Sequence, residues 1–236
     1  MSGWVKKRFW ADVSVEGADG GFGILLDMRP LRSPAKAPLV VPTLALAEMI
    51  AAEWRSMDKI IDPTKMPATR AANAAIDKVA DQQAEVAELI TAYGDSDLVC
   101  YRAEHPDELI AREARAWDPL LDWAAHRYGH RSVTRIGVMH RPQPPLLLDA
   151  MRTDVLRLGA FELTAFHDLV ALPGSLIMAL AHIDGFAGAE SLWYASRVDE
   201  DWQAEQWGVD DEAVALAEGR KAAFLQAAAF WAALKA

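Results

Sequence analysis

The hairpin-forming strand signals in this chain gather before Pro42, and that decides most of what the rest can be. Arg8–Val15 alternates over short range and is rich in β-branched and aromatic residues, which predicts a strand. The run Gly17–Gly23 carries four glycines and reads as a turn, so Phe22–Leu26 completes a hairpin. Asp27-Met28-Arg29-Pro30 is a further turn signal. Pro34 and Pro38 punctuate the next stretch, and Leu39–Val41 is a third short strand. A β unit of this size cannot bury a core alone, so it must lean on helix.

Helix comes at once. Thr43 is a good N-cap, with Leu44, Leu46, Met49, Ile50 and Trp54 marking a helix that ends near Met57. Asp62–Pro67 breaks the chain. Thr69–Tyr93 is alanine-rich with helical spacing, divided near Asp81 and closed by Gly94. Asp97–Arg102 is extended or a tight connector. Pro106 opens a helix through Tyr128, with Gly129 past its end and Pro119 as a kink signal inside it. Arg131–Pro145 is irregular. Leu146–Phe230 reads as four or five helices separated near Gly159, Pro173, Gly185 and Gly208. The implied fold class is α+β. A small N-terminal domain over residues 1–64 holds a β-hairpin or small sheet and one packed helix. A larger all-α helical bundle domain spans residues 65–236.

Charge is concentrated late in the chain. Gly188–Gly219 holds nine acidic residues and one basic residue, a net charge of −8 out of −10 for the whole chain. Such a segment is a directed surface field that steers partners. Periodicity predicts one helix here. Ala195, Val198 and Trp202 share one face; Trp193, Arg197, Glu200, Ala204 and Trp207 share the other; Gly208 is the stop. A face mixing tryptophan, arginine and carboxylates suits a protein interface. The competing reading buries both tryptophan faces in a bundle and leaves the acids merely solvated.

The acidic balance and pI near 5.1 argue against nucleic acid, whose phosphates need a basic face. Cys100 is the single cysteine, which excludes an intrachain disulfide and fits a reducing compartment. The start MSGWVKKRFW is not succeeded by the apolar run of a leader, and Leu169–Ile183 is too short and broken to span a bilayer. The expectation is a soluble, cytoplasmic protein without membrane insertion. His126 and His130 stand four apart, but Gly129 should end the helix between them. His167-Asp168 lacks a nucleophile elbow, and GADGGFG precedes a strand rather than a helix. The acids of Gly188–Gly219 sit on an open, wet segment that gives no reason for a raised pKa. No cofactor, metal or small-molecule substrate is expected.

The segments LLDMRPLRSPAKAPLVVP, AAEW, MPATRAANAAID, SDLVCYRA, WDPLLDWA, SLIMALA and RVDEDWQAEQWG occur in this order over most of the chain. The ordered set resembles the F-type ATP synthase assembly chaperones that bind the alpha subunit of the catalytic head. Ser96 departs from the threonine expected in that family, and MPATR replaces an MPLT-like segment. The resemblance implies a non-enzymatic protein that shields the unassembled alpha subunit and releases it to the beta subunit. It implies a small N-terminal domain with strands and a helical C-terminal domain. Family-like positions in the acidic segment are Glu200, Gln203, Glu205, Trp207 and Gly208. Glu205 and Glu200 are the first candidates for partner contact, with Arg197 and Asp210 behind them. The alternatives are an enzyme with an inter-domain cleft and a generic acidic protein-binding adaptor.

Overall fold

A computed structural model describes residues 7–236. Residues 1–6, on which the reading of a start without a leader partly rests, lie outside them. The architecture is α+β, as the sequence implies. The chain divides into two compact units. The first runs to Gln83 and takes in Gly159–Ala165 and Ala229–Ala236; the second holds Ala84–Leu158 and Phe166–Ala228.

In the first unit, β1 (Val13–Ala18) pairs antiparallel with β2 (Gly21–Leu26), from Val13 opposite Leu26 to Ala18 opposite Gly21. β3 (Arg29–Pro30) pairs with β2 at Leu25 and Leu26, and β4 (Val40–Val41) pairs with it at Phe22 and Gly23. Among the described residues the sheet thus has four strands, one more than expected. The extra strand lies inside the stretch read as a turn. The turn itself is only Asp27 and Met28, at φ 49° and 65°, a mirror-image geometry that matches the twist of a hairpin. The Asp27 carboxylate steadies it by accepting the N–H groups of Asp12 and Ala11, each at 2.9 Å. Those two bonds hold its acid below the usual carboxylate range. Gly21 is required by close approach, because a Cβ there would lie 2.2 Å from the Val41 carbonyl oxygen.

The sheet is covered by α1 (Leu44–Ser56), capped as expected: Thr43 Oγ1 accepts the Leu46 N–H at 3.2 Å. Leu46, Ala47, Ile50 and Ala51 have no exposed surface, and α1 packs on β1, β2 and β4. The strand expected from Arg8 begins only at Val13, because the preceding residues pair with the segment after α1. The Arg8 N–H donates to Lys59 O at 3.0 Å, and its guanidinium reaches Met57 O at 2.6 Å.

The AAEW and MPATR segments are two halves of one tie. Trp54 sits edge-on to Trp10 with centroids 5.0 Å apart, and its Nε1 donates to Thr69 Oγ1 at 3.2 Å. The Glu53 carboxylate accepts the N–H groups of Ala68 at 2.6 Å and Thr69 at 2.8 Å. These are free donors at the start of α2 (Pro67–Ala74), where a negative charge is favoured. Asp77, in the wide turn Ala75–Val79, accepts the Ser33 hydroxyl at 2.5 Å and the Ala35 N–H at 3.0 Å. These bonds fix the RSPA loop to the segment after α2. A tight turn at Ala80–Gln82 then leads into α3 (Gln83–Thr91), so the division near Asp81 is where the sequence placed it.

The second unit is helical apart from one parallel pair, β5 (Tyr101–Arg102) with β6 (Arg135–Ile136), the latter inside the stretch read as irregular. α4 (Asp107–Tyr128) runs through Pro119 without a break and stops at Gly129, which is left-handed (φ 74°). After α5 (Pro145–Val155) come α6 (Ala160–Ala171), α7 (Leu176–Ile183), α8 (Ala189–Ala195), α9 (Val198–Trp207) and α10 (Asp211–Leu234). That is six helices where four or five were expected. Every residue of α7 from Leu176 to Ala181 is buried. The first turn of α7 is capped by Ser175, which accepts the Met178 N–H at 3.0 Å, and by buried Asp97, which accepts the Ile177 N–H at 2.9 Å. Burial pushes the Asp97 carboxyl up to about 6, against the hydrogen bonds that favour its charge.

Trp54→Ala should destabilise the protein by about 3 kcal/mol, the low end for a tryptophan because its ring is half-buried. A urea midpoint equal to wild type would show that the Trp10–Trp54–Thr69 contacts do not hold the first unit together.

Candidate functional site

The acidic segment is not one helix but two with the start of a third. α8 stops at Ser196, whose hydroxyl donates back to Trp193 O at 2.7 Å. Serine competes with helix propagation in this way. The expected common face of Trp193 and Trp207 is therefore broken. Trp193 is buried and packs on Phe224 of α10 with centroids 5.8 Å apart, while Trp207 is 79% exposed. Trp202 is buried as expected. Gly208 ends α9 as the sequence implied, its N–H bonding Ala204 O at 3.0 Å.

α8, α9 and the first turns of α10 wall a groove of about 610 Å³. Its apolar lining includes Tyr194, Trp207, Val209, Val214 and Leu216, all exposed. Arg197, Glu200, Gln203 and Asp210 also line it. Five of the six residues singled out from the sequence thus meet in one place. The cations there already have partners. Arg197 pairs with Glu200 at 3.0 Å, Lys221 donates to Tyr194 Oη at 2.9 Å, and Arg220 donates to Leu172 O at 2.6 Å. Asp210 is also engaged within its own segment. Its carboxylate accepts the Glu212 N–H at 3.0 Å at the start of α10.

Glu205 is the residue that does not line the groove. It turns toward α4, where Arg112 Nη1 lies 2.8 and 2.7 Å from its two carboxylate oxygens. The same guanidinium lies 4.7 Å from the centroid of the Trp202 ring and is braced by Glu108 at 3.1 Å. Nothing in the sequence pattern pointed to Arg112, which stands 93 positions from Glu205. Val209, Val214 and Leu216 were also missed, although apolar residues at the start of an acidic helix were a visible sign.

The expectation that the acids of Gly188–Gly219 have no reason for a raised pKa is overturned at Asp201, and an acid outside that segment, Glu113, is raised as well. Burial raises the Asp201 carboxyl above its ordinary range, opposed by the charge of Arg197. Next to Arg112, Glu113 is 1% exposed and accepts the Ala103 N–H at 3.0 Å. Asp199 of α9 is within hydrogen-bonding reach of Glu113, and its Oδ1 is buried without any other partner. Two carboxyl groups can bond only if one holds a proton. Burial accordingly pushes Glu113 up to about 7, with Asp199 reinforcing the rise and the Ala103 bond opposing it.

The other candidates have structural explanations. Cys100 is fully buried, and burial pushes its thiol up to about 12, so it is neutral and inert. His130 lies beyond the end of α4, out of line with His126. His167 pairs at the surface with its neighbour Asp168 at 2.9 Å, and that bond raises its pKa. Among the described residues no group of three or more histidines, cysteines and carboxylates could hold a metal ion. No described helix is long and apolar enough to cross a membrane.

Comparison with known proteins identifies the family. The family model described as ATP12 chaperone protein matches residues 7–125. The chain belongs to the ATP12 chaperone family. Atp12 from Paracoccus denitrificans is 48% identical and superposes with a TM-score of 0.93, over 97% of this chain and 98% of that one. A protein of Agrobacterium tumefaciens is 41% identical with a TM-score of 0.91, over 98% of this chain and 86% of that one. The mitochondrial atp12 protein of Schizosaccharomyces pombe is 24% identical over 220 residues, 88% of this chain and 75% of that one. The chain is thus an ATP12-type chaperone of ATP synthase assembly. The ATP12 family match spans the sheet, α1 and most of α4, and so includes Arg112 and Glu113.

Glu113 makes stability depend on pH with a definite sign. Between its ordinary 4.5 and about 7, the folded state keeps a proton that the unfolded chain has lost, so stability falls as pH rises through that window. Asp97 adds a similar slope that ends near 6. Glu113→Gln, which fixes the neutral shape, should flatten the dependence between about 6 and about 7. Urea midpoints across the window test this; an unchanged slope would mean the shared proton is not there.

Proposed function

We propose that this chaperone binds the unassembled alpha subunit of the F-type ATP synthase head at the α8–α10 groove and yields it to the beta subunit. The observation that carries the proposal is Trp207, 79% exposed at the mouth of an apolar groove within the most acidic part of the chain. An exposed tryptophan among charges is the composition of a binding hot spot, not of idle surface. A subunit of an obligate ring exposes large apolar interfaces before assembly, and such surfaces aggregate. A holder must cover that surface and still be displaced. An apolar groove with an acidic rim suits this, because charge speeds encounter and fixes register without locking the complex.

In this reading Glu200, Gln203, Trp207, Arg197 and Asp210 face the client, whose docking segment carries an apolar stripe beside basic side chains. Glu205 acts at the same surface from the far side of α9. The chain works without chemistry, nucleotide or metal of its own, in the cytoplasm, where a single buried thiol needs no oxidising environment.

Co-expression with the alpha subunit tests the proposal. Wild-type chain should keep the alpha subunit soluble. Trp207→Ala should weaken binding by about 30-fold or more, as expected of an anchor residue. Glu200→Lys should weaken it and flatten its response to salt, because one attractive charge has become repulsive. Neither should lower the melting temperature. Glu85→Lys, at an exposed acid outside the groove, is the control; Glu88 is unsuitable because it pairs with Arg152. Equal solubility with all three variants would remove the groove as the client site. Nucleotide addition or chelation should leave binding unchanged, and tight nucleotide binding by the free protein would contradict the passive-holder reading.

A further inference from the structure

We infer that Arg112 is a positioning residue that seats α9 as the wall of the groove, and that Glu205 supports client binding through Arg112 rather than by touching the client. The inference rests on the client-groove reading above.

α9 is ten residues long, and Trp202 is its one buried side chain. A helix of that length is marginal without tertiary contacts. Its seam with α4 is unusually polar. Asp199, Trp202 and Glu205 fall three apart along one side, and they meet Glu113 and Arg112. Asp199 and Glu113 attract only while they share a proton, so that contact holds weakly where pH reaches about 7. Arg112 is the contact that persists. One guanidinium covers the Trp202 ring, pairs with Glu205 and is held in line by Glu108 one turn earlier. Planarity lets arginine stack and pair at once, which lysine cannot do. Removing the Glu205 carboxylate frees the guanidinium and uncovers the ring together.

The consequence reaches the groove by geometry. Arg197, Glu200, Gln203 and Trp207 leave α9 toward the groove, while Asp199, Trp202 and Glu205 leave toward α4. A shift of α9 on α4 re-aims every groove residue it carries. Charge reversal at Glu205 would therefore abolish client binding without any contact between Glu205 and the client.

A charge swap separates the two roles. Arg112→Glu, Glu205→Arg, the double variant and Arg112→Lys are compared in the full chain. Amide hydrogen exchange of α9 is read in the free protein, and alpha-subunit solubility is read in co-expression. Each reversal should speed α9 exchange by about ten-fold or more, as local docking is lost. It should also lower alpha-subunit solubility. The double variant should restore both, since the arginine placed at 205 lies three residues from Trp202 and can reach its ring. Arg112→Lys should give intermediate exchange, with the charge kept and the stack lost. If the double variant restores slow exchange but not client solubility, Glu205 touches the client and the inference is wrong. It is equally overturned if Glu205→Arg leaves α9 exchange at the wild-type rate. Failure of the client-groove reading has a different signature: Trp207→Ala would then keep the alpha subunit soluble as well.

Discussion

A helix that is apolar all the way round must be covered all the way round, and α7 sets that demand for the second unit. Leu176 through Ala181 are buried in sequence, so neighbours are needed on every side. α4 and α8 both pack on it. The free N–H groups at its start lie in the same dry interior, which explains why a charged side chain, Asp97, is buried there to receive them. Trp117 of α4 then reaches across to donate its indole N–H to Ala195 O at 2.7 Å, the last residue of α8. With that bond α4 and α8 are joined over the core, to which α10 adds buried Phe224 against Trp193.

α9 is free of that demand. It gives only Trp202 to the buried core and attaches to α4 through that ring, one guanidinium and three carboxylates. The contrast between α7 and α9 is one of cost. A wall held by apolar burial would be rigid, whereas a wall held by half-exposed charges sits near balance, because such pairs gain little in water. Under the proposed function, in which the chain holds a client and later surrenders it, a wall near balance would be an advantage. Glu113, which burial keeps protonated toward pH 7 beside Asp199, adds a second adjustable element to the same seam.

Local chemistry was legible in the sequence, and long-range pairing was not. Thr43 and Gly129 were readable as helix boundaries because capping involves residues within one turn. Charge and aromatic content in one window pointed to a surface at Arg197, Glu200, Trp207 and Asp210, and the family resemblance added Gln203; that these line one groove was not legible. The break at Ser196 was missed because periodicity carries across a two-residue interruption, and the serine hydroxyl that causes it gives a weak signal. β3 was hidden in a turn motif whose two central residues alone reverse the chain. Arg112 could not have been found at all by pattern, since its partners lie in a helix far along the chain.

The missed arginine changes what an acidic surface means. Counting charges makes Gly188–Gly219 uniformly attractive to a basic partner, yet its carboxylates have different neighbours. Glu205 is neutralised by Arg112 and Asp210 is engaged at the start of α10, while Asp199 faces another carboxyl group. Glu200 pairs with Arg197 at the surface, where exchange for a client's cation costs little because the pair is solvated. The field that steers a partner is the sum of all of them, but the contact that discriminates is made by the few that can change partners. If the client docks in the groove as proposed, the Arg197–Glu200 pair is the contact that can exchange partners and Trp207 is the apolar anchor beside it.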